Sequence, residues 1–160
     1  MNRLRQFDCA ICPHYQCDKE RICAGGKKPR RFRSGDPKRK PPDWCPKRKR
    51  PCELRVYGFR SERDRILHDL LSESSGGHSV PEARRYMVTL ESHIDLTAAE
   101  FWKRCQSECP EDVLSVKVPL HGVVEIDDGL RPVCFYNAGR EYGILSTFDV
   151  TAARKNRMEN

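Results

Sequence analysis

No run in this 160-residue chain is long and apolar enough to cross a bilayer. Residues 1–8 reach the first cysteine without the apolar stretch that a secretory signal needs. These absences predict an intracellular, cytoplasmic protein with no membrane partner. In such a reducing compartment clustered cysteines serve as metal ligands more often than as disulfides. Catalytic signatures are missing as well. The five histidines (His14, His68, His78, His93, His121) form no His-Glu-x-x-His pair and no deaminase signature. The chain also lacks Gly-x-Ser-x-Gly, a phosphate-cradling glycine loop and any internal repeat. Nothing in it assigns an enzyme class, and a small nuclease or modifying enzyme would require an open metal site within residues 82–150.

The first fifty residues are short of aliphatic side chains and have no apolar periodicity. Such a segment cannot bury enough surface to offset its chain entropy, so a crosslink or a metal must supply the order. What it has instead is charge and cysteine. Residues 1–52 carry 16 Lys/Arg against 5 Asp/Glu, whereas residues 53–160 carry 14 against 18. A split of that kind indicates two units with different partners.

Six of the nine cysteines fall in the basic unit: Cys9, Cys12, Cys17, Cys23, Cys45 and Cys52. A Cys-x2-Cys pair brings two thiolates from one tight turn to the same ion, and zinc takes four such ligands in a tetrahedron. Six are on offer, so two frames stand. One is local, with Cys9, Cys12, Cys17 and Cys23 spaced like a zinc knuckle. The other joins Cys9 and Cys12 with Cys23 (or Cys17) and closes on Cys45. Zinc is the expected metal, with an iron–sulfur cluster as the minor alternative. Four thiolates leave no open position for water, so the metal is expected to be structural.

Cys12-Pro13-His14-Tyr15, followed by Pro42-Asp43-Trp44-Cys45-Pro46, resembles the pattern of short zinc-ribbon-like proteins from phages and bacterial mobile elements. These begin with Cys-x2-Cys-Pro and close with Pro-Asp-Trp-Cys-Pro. The likeness spans residues 9–46 and implies Cys9, Cys12, Cys23 and Cys45 as the ligands, with Cys17 and Cys52 as alternates. It brings no activity with it. The basic insert before Pro41 and the two extra cysteines depart from the pattern.

The insert and its flank hold twelve basic residues: Lys27, Lys28, Arg30, Arg31, Arg33, Lys38, Arg39, Lys40, Lys47, Arg48, Lys49 and Arg50. Only Asp36 and Asp43 oppose them between residues 27 and 50. Such a density repels itself unless a polyanion neutralises it, and phosphate backbones do so with release of counterions. Phe32, Trp44 and His14 with Tyr15 offer flat surfaces for stacking bases. The expected partner is nucleic acid, DNA or RNA, with an acidic protein surface as the competitor and a merely solvated loop as the plain reading.

Beyond residue 52 the pattern changes. Residues 53–81 read as a connector with one helix, capped by Ser61 and Asp64, whose apolar face is Ile66, Leu67, Leu70 and Leu71. Residues 84–94 read as a strand with Tyr86, Val88 and Leu90 on one face and Met87 and Thr89 on the other. Thr97 and Glu100 form a capping box for a helix carrying Phe101, Trp102, Cys105 and Cys109, halted by Pro110. Strands are expected over residues 113–118, 123–126, 132–136 and 142–148, with a hairpin turn at Asp127-Asp128-Gly129. Cys105 and Cys109 read as small core residues; the sharper alternative joins them to Cys134 or His121 in a second metal site. The last ten residues read as a polar, frayed tail.

The expected architecture is α+β: a zinc-ribbon or knuckle-like domain over residues 1–52, a helical connector over 53–81, and a tail over 151–160. Residues 82–150 form a compact, mostly antiparallel sheet with one or two helices. The expected function is that of a non-enzymatic, zinc-stabilised regulatory protein that touches nucleic acid through its basic loop. Its acidic-leaning half would dock a host protein complex or a second copy. The rival is a protein-directed inhibitor or adaptor that grips acidic side chains on a nucleoprotein machine.

Overall fold

A computed structural model describes residues 9–38, 40–77 and 79–156. Arg39, His78, residues 1–8 and residues 157–160 lie outside the described residues. The fold is α+β, with two antiparallel sheets and four α-helices among the described residues.

The small sheet belongs to the basic unit. A 3-10 turn at Cys9–Ile11 leads into β1 (Tyr15–Cys17), β2 (Arg21–Cys23) and β3 (Arg30–Arg31), in the order β1-β2-β3. Tyr15 pairs with Cys23, and Cys23 pairs in turn with Arg30. Aromatic rings rather than aliphatic side chains give this unit its interior. Phe32 lies edge-on to Tyr15 at 5.6 Å and to Trp44 at 5.1 Å. The Trp44 indole Nε1 donates to the Asp36 carboxylate at 3.2 Å, and Arg33 N donates to the same carboxylate at 2.7 Å. The Arg33 bond is the first of the influences that hold the Asp36 carboxyl below its ordinary range.

The connector assigned to residues 53–81 is corrected. Its first half is β4 (Cys52–Phe59), the second strand of a five-stranded sheet ordered β5-β4-β6-β7-β8. The residues alternate as a strand buried on both faces requires. Cys52, Leu54 and Val56 join one core cluster, and Tyr57 joins the other. Next comes α1 (Glu62–Ser74), with Ser61 accepting from Asp64 N as its capping residues foretold. Its expected apolar face is not the buried one: Ile66, Leu70 and Leu71 are 46%, 54% and 42% exposed, while His68 is 2% exposed. The helix turns His68 onto the sheet, where the imidazole packs 5.3 Å from Phe59 and meets the Tyr136 hydroxyl at 3.0 Å.

In β5 (Tyr86–Ile94) the expected single face is split by a bulge. Val56 pairs with Leu90 but Tyr57 pairs with Val88, which leaves Thr89 as the extra residue. Thr89 Oγ1 donates to Val56 O at 3.1 Å and so fills the gap in the ladder. Tyr86 and Val88 therefore pack on one side of the sheet and Leu90 on the other.

The capping box is present: α2 (Ala98–Arg104) begins with Glu100 N donating to Thr97 Oγ1 and Thr97 N donating to the Glu100 carboxylate. The helix ends at Arg104, short of Cys109, so Pro110 does not halt it as expected. It is the first residue of α3 (Pro110–Leu114), where its missing N–H costs nothing, and Glu111 and Asp112 suit the same turn. Residues 113–118 are thus not a strand: Val113 and Leu114 are buried from a helix, which ends at Ser115 with φ of 56°. Then follow β6 (Val123–Asp127), β7 (Pro132–Asn137) and β8 (Tyr142–Leu145). Asp127 accepts from Gly129 N, and Asp128 accepts from Leu130 N and Arg131 N, which builds the expected turn.

The frayed tail is also corrected. Residues 150–155 form α4 (Val150–Lys155), capped by Asp149, with Val150 and Ala153 buried. Arg154 reaches the fully buried Glu125 carboxylate, which also accepts from the Tyr57 hydroxyl and from Arg55 at 3.3 Å. Layer by layer, α2 and α3 cover the Leu54, Val56, Val124 and Phe135 side of the sheet. Helix α4 covers the Tyr57, Tyr86, Val123 and Cys134 side. No described helix is long and apolar enough to cross a membrane.

Candidate metal centre and nucleic-acid interface

The 3-10 turn at the start of the ribbon is what a Cys-x2-Cys pair needs. Cys12 N donates to Cys9 O at 3.1 Å, so both side chains leave one tight turn. A second turn, with Cys45 N donating to Pro42 O at 3.0 Å, presents Cys45. Cys23 comes from the end of β2. Cys9, Cys12, Cys23 and Cys45 line one small cavity of about 20 Å³, walled by Tyr15, Phe32, Pro42 and Trp44. That volume is about what one water-sized occupant fills.

The other two candidates are elsewhere. Cys17 is exposed at the far end of β1. Cys52 is 2% exposed in the core of the large sheet, where burial pushes its thiol up, against the thiolate form that a metal takes. All nine cysteines are thiols. Among the described residues no three or more His, Cys, Asp or Glu side chains are grouped so that they could hold a metal ion. The four thiols thus share a cavity without being drawn to coordination distance. Thiolates are the ligands that a thiophilic cation such as zinc takes, but as placed these four share a cavity and do not form a site for one.

The second metal grouping is not assembled. Cys105 packs against the α2–α3 side of the sheet, Cys109 is exposed, and Cys134 is buried on the opposite side. Burial raises the Cys105 thiol, in keeping with the core role, whereas Cys109, expected in the core as well, is exposed. His121 also lies elsewhere: its Nδ1 meets the Tyr136 hydroxyl at 2.6 Å, so His68 and His121 share one phenol. His121 takes φ of 62°, an uncommon conformation for a residue other than glycine. Residues this far apart in sequence gave no spacing signal.

Most of the basic residues are displayed. Lys27, Lys28, Arg30, Arg31, Arg33, Lys38, Lys40, Lys47, Lys49 and Arg50 are exposed. Arg31 pairs with Glu20 at 3.0 Å and Lys49 with Glu53 at 3.4 Å, both solvated contacts worth little. Arg48 differs. It donates to Asp128 at 2.5 Å and to the Pro41 and Pro42 carbonyls at 2.8 and 3.0 Å, and it ties the ribbon to the β6–β7 turn. The expected stacking platforms are likewise engaged. Phe32 and Trp44 form the ribbon's interior, and the Arg30 guanidinium lies 4.4 Å from the Trp44 ring centre. The aromatic that sequence reasoning missed is Trp102. It lines a cleft of about 660 Å³ between the ribbon and the large sheet.

Comparison of the chain with protein-family models, with curated proteins and with solved structures returns no match.

Proposed function

We propose that the chain is a non-enzymatic, zinc-stabilised regulatory protein that binds nucleic acid through its N-terminal ribbon. The observation that carries this reading is the joint placement of four thiols and ten exposed cations. Cys9, Cys12, Cys23 and Cys45 line one cavity, and the chain between and just after them exposes ten of the basic residues between Lys27 and Arg50 to solvent. A tetrathiolate zinc would stiffen that loop, whose charges otherwise push it apart, and so lower the entropy lost on meeting a polyanion. The resemblance to zinc-ribbon-like proteins of phages and mobile elements supports the same four ligands. Binding would consist of phosphate neutralisation. Polarisation binding curves with labelled oligonucleotides over a salt series test it: the log–log slope should have a magnitude of about 4 or more, as for roughly five phosphates. Absence of binding at low salt ends this reading.

A second reading is a protein-directed inhibitor or adaptor. It is favoured by the apolar residues Ile66, Leu70 and Leu71, which α1 leaves exposed on the acidic-leaning half. Purification of a stoichiometric protein partner that survives nuclease treatment, and that is lost when these three become polar, would support it.

A further inference from the structure

The ribbon does not stand apart from the sheet. Where the two meet, Trp102 of α2 rests on Phe135 of β7, ring centres 5.8 Å apart and planes 19° from parallel. Trp102, Val133 and Ile144 face the cleft of about 660 Å³, and Ile144 is 55% exposed although it is aliphatic. Such a volume lies within the range of about 300–1,000 Å³ typical of small-ligand sites. The rim is charged. Lys40 from the basic loop and Arg131 from the β6–β7 turn are both exposed there, as is Asp43; Arg48 and Asp128 neutralise each other. Apolar, aromatic lining together with cations is what an unstacked nucleotide requires: a flat surface for the base and positive charge for its phosphate. A paired base is stacked on both faces within a duplex and has no face to give.

We propose that this cleft seats one unpaired base against Trp102, with the flanking phosphate on Lys40 and Arg131, so that the chain prefers single-stranded to double-stranded nucleic acid. The proposal rests on the nucleic-acid reading above and adds the class of strand. The ribbon's own aromatics do not serve, because Phe32 and Trp44 pack on each other beside the cysteines. Charge makes the first contact along the loop; the cleft makes the discrimination.

The test uses the full chain with its metal. Single-stranded DNA, single-stranded RNA and duplex DNA of about 12 nucleotides are compared in polarisation assays at one salt concentration. Either single strand should bind about ten-fold more tightly than the duplex, and Trp102→Ala should remove that preference while the salt slope stays unchanged. Trp102 also packs on the core, so a measurement on the unaltered protein accompanies it. A halouracil-substituted single strand is photocrosslinked, and the attached peptide should contain Trp102. Equal or tighter duplex binding overturns the proposal and leaves the salt-dependent reading standing. So does crosslinking confined to the basic loop, which would leave the cleft to another occupant such as an apolar peptide. Absence of binding by every strand overturns both.

Discussion

Arg48 and Asp128, eighty residues apart in sequence, join the basic ribbon to the large sheet through a 2.5 Å ion pair. Only about a fifth of either side chain is exposed. Asp128 spends its other oxygen on the turn, accepting from Leu130 N and Arg131 N, while its carbonyl accepts from Lys49 N at 2.6 Å. The neighbouring Gly129 is needed for the same junction. Its φ is +85°, and a Cβ there would stand 2.8 Å from Lys49 Cγ and 3.1 Å from Lys47 O. Asp128→Asn should therefore loosen the ribbon and cost about 2 kcal/mol, because a charge-assisted bond is lost and Arg48 is left without its anion. Gly129→Ala should have a comparable effect. Urea denaturation measures the loss. An unchanged midpoint for both would show that the junction is not energetically coupled.

The cysteine placement predicts a selective pattern. Serine at Cys9, Cys12, Cys23 or Cys45 should abolish metal retention, whereas Cys17→Ser should leave one metal per chain. Cys52→Ser should also keep the metal, yet destabilise the fold by about 1–3 kcal/mol by placing a hydroxyl in the core. Inductively coupled plasma mass spectrometry on each purified variant reads the outcome. Loss of metal from Cys17→Ser would favour the local frame instead.

His68 should make stability depend on pH. Burial first, and the neighbouring His121 second, hold its imidazole below the ordinary value of 6.5, while Asp69 and Glu82 pull the other way and Arg85 adds to the depression. Between that lowered value and 6.5 the unfolded chain binds a proton that the native chain refuses. Stability is therefore full above 6.5 and is lost as pH falls through this window. His68→Gln, which can still donate to Tyr136, should flatten the profile relative to the natural chain. The two are compared by denaturation at about pH 7.5 and about pH 5.5, with chelator present so that metal loss does not contribute. Parallel profiles would refute the assignment.

Glu125 is fully buried, and the tail supplies one of its partners. Arg154 of α4 reaches its carboxylate beside Tyr57 and Arg55. Arg154→Ala, or truncation before residue 150, should cost about 3 kcal/mol, since a buried charge is left with fewer counter-charges. A thermal melt unchanged by truncation would return the last residues to the role of a loose tail.

Local signals were legible in the sequence; signals that depend on distant partners were not. The Thr97–Glu100 capping box, the Asp127–Gly129 turn and the strands at β6, β7 and β8 each rest on chemistry within a few residues, and each is present, although β8 stops at Leu145 and not at residue 148. Strand β4 was hidden because its alternation, Cys52-Glu53-Leu54-Arg55-Val56, begins at a cysteine that reads as a ligand. Its Arg55 donates to Glu91 and Glu125 on the strands to either side, partners that no local pattern shows. The α1 face was misplaced for a related reason. Hydropathy favours burying leucine, but Tyr136 offers His68 a hydrogen bond that hydropathy does not count. Of the candidate site, spacing left two frames open, and the resemblance implied the four cysteines that share the cavity. The Trp102 cleft needed the meeting of two units that no local pattern encodes.

The most direct test of the whole account is native mass spectrometry of the purified chain, paired with amide NMR before and after chelation. The account predicts one zinc per chain, whose removal collapses the signals of residues 9–46 and leaves those of the large sheet dispersed. A metal-free chain whose ribbon amides are already dispersed, with its thiols unoxidised, would contradict it.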